Sequence, residues 1–97
     1  MRGCGLPTRD MLSCVGLGLA GEAGEVVDHL KKHLHHGHEL DRDKLVKEAG
    51  DVLWYLAALA TLLGVDLSEV AQRNVDKLIR RYPQGFTHEA SRNRSEP

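Results

Sequence analysis

Four carboxylates fall into two pairs. Glu22 and Glu25 stand three residues apart in GEAGE, and Glu48 and Asp51 repeat that spacing in KEAGD. Residues i and i+3 project from one side of a helix, so each pair presents two acids on one face. A reversal at Gly37 to Arg42 places the pairs at comparable distances from the turn of an antiparallel hairpin, where they can share one site. Like charges about 4 Å apart repel by roughly 4 kcal/mol at an effective dielectric near 20. A divalent cation removes that repulsion. Oxygen ligands favour magnesium or manganese over zinc, and magnesium shares its shell with substrate phosphates. The plain alternative is four solvated acids, which is where most Asp and Glu belong. Against it, Glu48 and Asp51 adjoin VLWYLAALATLL, the most apolar segment of the chain.

The first pair overlaps GLGLAGEAGE, Gly16 to Glu25, which contains a literal G-x-G-x-x-G. In a strand-turn-helix unit that pattern cradles a dinucleotide pyrophosphate. The dinucleotide fold needs a parallel sheet, for which this chain has neither room nor pattern. Carboxylates in the first helical turn would also repel the pyrophosphate. These glycines therefore point to close helix-helix approach, or to a kink or boundary around Gly16 to Gly21.

A third group comprises Asn74, Lys77 and Arg81, at i, i+3 and i+7, followed by the aromatic face of Tyr82. That stripe suits phosphate or base. Lys77 and Arg81 also read as last-turn cations complementing a helix dipole, and the same double reading applies to Lys31 and Lys32. His29, His33 and His36 share a helical face in HLKKHLHHGH, but no Cys or acid motif of zinc-site spacing adjoins them. They are read as a solvated helix end. Trp54 and Tyr55 read as core or subunit-interface residues.

These residues need helices to hold them. Thr8 caps a first helix that begins at Arg9 and carries apolar residues at helical spacing until it stops near Gly37. Asp41 or Asp43 caps a second, running from Lys44 to about Leu63 and ended by Gly64. After Asp51 it is apolar nearly all round, so it needs more neighbours than one short chain supplies, and self-association is expected. Asp66 or Ser68 caps a third helix, which Pro83 and Gly85 stop. No alternating strand pattern of useful length occurs. The expected class is all-α, a helical hairpin plus a third helix, assembling into an oligomeric four-helix-type bundle.

The chain has 97 residues, room for one small domain, with 13 Lys and Arg against 14 Asp and Glu. This near-balance gives no footprint for a nucleic-acid polymer. Cys4 and Cys14 fit neither a zinc knuckle nor a redox CxxC, and suit a reducing cytoplasm. No signal peptide is expected at the start. The uncharged run from Val52 to Leu63 has 12 residues, the length of a buried helix rather than a membrane span.

Together GLAGEAGEVVDHLKK, KEAGDVLWYLAAL and RNVDKLIRRYPQGF resemble the MazG-like nucleotide pyrophosphohydrolases of the all-α NTP pyrophosphatase group. The resemblance covers about Leu12 to Phe86. Its pattern, E-E-x-x-E and then E-x-x-D, is matched by Glu22, Glu25, Glu48 and Asp51, with Gly21 standing where many members carry the first glutamate. The resemblance implies a MazG-like domain over 1–86, followed by a polar, flexible tail over 87–97. It also implies magnesium-dependent hydrolysis of nucleoside triphosphates to monophosphate and pyrophosphate, by a homodimer or homotetramer. Glu22, Glu25, Glu48 and Asp51 would hold magnesium, or manganese, and Glu22 or Glu25 would position the water. Lys32, Asn74, Lys77, Arg81 and Tyr82 would contact substrate. Two other classes remain open: a ferritin-like carboxylate-bridged metal protein, which wants Glu-x-x-His, and a non-catalytic helical oligomerisation module.

Overall fold

Thr8 begins the first helix as its sequence position suggests. Its hydroxyl accepts from the backbone N–H of Met11 at 3.1 Å, and the Met11 sulfur lies 3.5 Å from the Thr8 backbone N–H, a capping box with sulfur in place of a carboxylate. The structure is a computed structural model, and it describes residues 7–85. Cys4, Phe86 and the expected tail over 87–97 lie outside the described residues.

Helix α1 spans Arg9–His35, α2 spans Arg42–Leu62 and α3 spans Leu67–Arg81, with no strand among the described residues. The class is all-α. Gly37, at φ 72°, leaves α1 in a backbone conformation that side chains with a Cβ rarely adopt. Asp41 then caps α2, its carboxylate accepting from the backbone N–H of Lys44 at 3.1 Å. Gly64, at φ 75°, ends α2. The chain divides between Val65 and Asp66 into two compact units, the α1–α2 hairpin and a unit built on α3.

No boundary interrupts α1 at its glycines. Close approach accounts for one of them. A Cβ added to Gly18 would fall into the ring of Tyr55, whereas one added to Gly16, Gly21 or Gly24 meets nothing within 4 Å. The bare backbone at Gly18 therefore makes room for the Tyr55 ring of α2. Val15 packs with Ala58 and Leu62, with Met11 and Leu59 against them, so the small core sits at the end of the hairpin away from the turn. Burying a valine or leucine of this kind is worth roughly 1.5–3 kcal/mol.

These contacts set an antiparallel register. Glu22 lies four residues beyond Gly18 and Asp51 four before Tyr55; Glu25 lies seven beyond and Glu48 seven before. Counted from that contact, Glu22 falls opposite Asp51 and Glu25 opposite Glu48, to within about a turn.

Candidate functional site

Glu25 and Glu48 line one open groove of about 280 Å³ near the turn of the hairpin. Asp28, His29 and Lys32 of α1, Lys44 of α2, and His38, Glu39 and Asp41 between the helices complete its wall. Five carboxylates face two lysines there, an excess of negative charge suited to a cation.

Within the groove Glu48 is held. His29 Nδ1 lies 2.9 Å from Glu48 Oε1, and the two side chains are only 9% and 12% exposed. On its other side, His29 Nε2 accepts from the backbone N–H of Asp41 at 3.3 Å. A nitrogen that accepts carries no proton, so this network assigns the neutral tautomer with hydrogen on Nδ1, which donates to Glu48. The imidazole thereby joins the acid of α2 to the chain entering that helix.

Lys32 reaches back along α1 to Asp28, with 2.9 Å between Nζ and Oδ2. The hydrogen bond to Asp28 is the first cause holding the Lys32 ammonium above its ordinary range, with the charges of Asp28, Glu25 and Glu48 adding to it. The same bond holds the Asp28 carboxyl below its ordinary range. Both groups are surface groups, so the pair is a weak tether.

The structure gathers the expected site in part. Glu25, Glu48 and Lys32 share the groove. Glu22 and Asp51, level with each other one turn further from the hairpin turn, are not in its wall. Among the described residues no group of three or more His, Cys, Asp or Glu is drawn close enough to hold a metal ion, so the carboxylates stand apart in this conformation. Their donor chemistry nonetheless fits magnesium or manganese, being hard carboxylate oxygen at the same level of two facing helices. Asn74, Lys77 and Arg81 all lie on α3, with Tyr82 at its C-cap.

Sequence reasoning passed over His29. As part of a solvated histidine tract it is misplaced: His33, His35 and His36 are exposed, but the His29 side chain is nearly covered. His33 Nδ1 instead donates to the His38 carbonyl at 2.9 Å, within the connection. The signal for His29 was its place one turn after Glu25, on the face that meets Glu48. Asp28, Asp41 and Lys44 belong to the same oversight, as they become neighbours only when the connection folds back.

Comparison with known proteins adds the lineage. The chain is 45% identical over 87 residues to the Gene 37 protein of Mycobacterium phage L5, an alignment covering 86% of this chain and 76% of that protein. No solved structure matches the chain. A family model described as the MazG nucleotide pyrophosphohydrolase domain matches residues 13–86, from the first turns of α1 past the end of α3. With three quarters of its length matched, the chain belongs to the MazG nucleotide pyrophosphohydrolase domain family.

Proposed function

We propose that this protein hydrolyses nucleoside triphosphates to the monophosphate and pyrophosphate, with magnesium as cofactor and manganese as a substitute. Family membership supports the reaction. The observation that carries the reading to particular residues is the groove that Glu25 and Glu48 line from opposite helices, with Lys32 in the same wall. In this reading Glu22, Glu25, Glu48 and Asp51 hold the ion. It would supply neutralisation of the triphosphate and of the departing pyrophosphate.

The chain's own residues do the rest. Glu22 or Glu25 accepts a proton from water as its oxygen bonds to phosphorus and the anhydride between the α- and β-phosphoryl groups breaks, releasing pyrophosphate. Lys32, Lys77 and Arg81 offset phosphate charge, Asn74 donates a hydrogen bond to the substrate, and Tyr82 offers a face to the base. Charge compensation of this kind is the main demand of phosphoryl transfer.

Self-association belongs to the same proposal. Trp54 is 63% exposed and Leu53 is 53% exposed on α2, so the apolar helix has more surface than its own hairpin covers. A homodimer or homotetramer would cover it. No single helix among the described residues is long and apolar enough to cross a membrane. A cytoplasmic setting is in keeping with the free thiol of Cys14.

A panel of standard and non-standard nucleoside triphosphates, assayed for pyrophosphate and monophosphate, tests the reading. Pyrophosphate release with magnesium, abolished by chelator and restored by the metal, is expected. Release of inorganic phosphate and a diphosphate, or no turnover of any triphosphate, would overturn it.

A further inference from the structure

His29 is the group that the proposed reaction does not use and whose side chain is nevertheless largely covered in the wall of the groove. Its side chain is 9% exposed, and both ring nitrogens are engaged: Nδ1 with Glu48 at 2.9 Å, Nε2 with the backbone N–H of Asp41 at 3.3 Å. Asp41 is itself fixed as the N-cap of α2. The backbone N–H thus dictates which nitrogen carries the proton, and that proton points at the carboxylate.

Glu48 is a long side chain with several rotamers, and ordering such a chain costs of order 1–2 kcal/mol of conformational entropy. The bond engages Oε1, and no other hydrogen bond to the Glu48 carboxylate is present among the described residues. A carboxylate can accept a hydrogen bond through one oxygen and serve a cation through the other. Hydrogen bonding to a ligating group fixes its orientation, and loss of such a partner commonly costs about ten- to a hundredfold in metal affinity or activity.

We propose that His29 is a positioning residue for Glu48: donating through Nδ1 and locked in that tautomer by Asp41, it holds the carboxylate ready for a divalent cation. The inference rests on the proposed role of Glu48 as a metal ligand. It adds that the hairpin connection, through the Asp41 N–H, sets which nitrogen of the imidazole donates to that ligand.

Asparagine and glutamine separate this role from a merely structural one. His29→Asn sets an amide N–H near the place of Nδ1 and keeps the donor to Glu48 while losing Asp41. His29→Gln sets its amide near the place of Nε2, keeping the tie to Asp41 while losing Glu48. Manganese binding by calorimetry on the full chain is the readout, with circular dichroism to verify the helices and pyrophosphate release measured alongside. His29→Ala should weaken manganese binding about ten- to a hundredfold; His29→Asn should recover most of that loss, and His29→Gln should not.

Wild-type manganese affinity in His29→Ala, or recovery by glutamine equal to that by asparagine, would overturn the proposal while leaving the metal reading intact. If His29→Ala does not fold, the contrast between the asparagine and glutamine variants decides alone. Glu48→Gln reports on the underlying reading. Should that variant bind manganese like the wild type, or the wild type not bind it at all, the metal role of Glu48 fails and the positioning role with it.

Discussion

The ring of Tyr55 occupies the space that a Cβ on Gly18 would need. With the packing of Val15 on Ala58 and Leu62 and the bond from His29 to Glu48, this contact sets the register of the two long helices. Gly18→Ala must therefore displace the ring or slide the helices. Overpacking of this kind costs about 1–3 kcal/mol, against roughly 1 kcal/mol gained in helix propensity. A net loss of stability is expected from thermal melts. Gly16→Ala meets nothing within 4 Å, so it should gain up to about 1 kcal/mol from propensity alone. A stabilised Gly18→Ala would mean that Tyr55 does not set the register.

A second expectation concerns Lys32. Asp28 is held below 3.8 and Lys32 above 10.5, in each case chiefly by the hydrogen bond between them. The lowered carboxyl contributes stability above pH 3.8 that is lost as pH falls through its folded value. The raised ammonium contributes below pH 10.5 and loses that contribution as pH rises through its folded value. Between those limits the pair keeps its charges. Lys32→Ala should then raise KM for triphosphate several-fold with kcat largely retained, equally at about pH 6 and pH 9. The increase should shrink in high salt, since the Lys32 side chain is half exposed. Steady-state kinetics at two pH values and two ionic strengths check this, and an unchanged KM would remove Lys32 from substrate binding.

Association should depend on Trp54, whose ring packs edge-on against Tyr55 with centroids 5.0 Å apart and is itself 63% exposed. Trp54→Glu is expected to lower the sedimenting mass of the protein, because a charge in an apolar interface is costly to desolvate. A wild type that is monomeric at micromolar concentration would contradict the expected self-association.

The sequence was informative wherever the cause is local. Thr8 announces itself as a cap, Asp41 was one of two candidates with Asp43, and Gly37 and Gly64 end helices by their backbone freedom. The equal spacing of Glu22 and Glu25 with Glu48 and Asp51 pointed to the hairpin, in whose groove Glu25 and Glu48 lie without Glu22 and Asp51. Less legible was what depends on pairing across helices. Gly18 could not be told from Gly16 until Tyr55 was placed opposite it. His29 looked like its solvated neighbours because its two partners lie 19 and 12 residues away along the chain.

The central claim is that the paired carboxylates hold a divalent ion for triphosphate hydrolysis, and Glu48→Gln and Asp51→Asn address it most directly. An amide keeps the shape and one oxygen ligand but loses the charge that holds a cation against water. The measurement is magnesium-dependent pyrophosphate release by each variant, beside wild type and an Arg9→Ala control, with circular dichroism verifying the helices. The account predicts nearly complete loss of release in both carboxylate variants, wild-type release in Arg9→Ala, and intact helices throughout. Wild-type turnover by both carboxylate variants would contradict it.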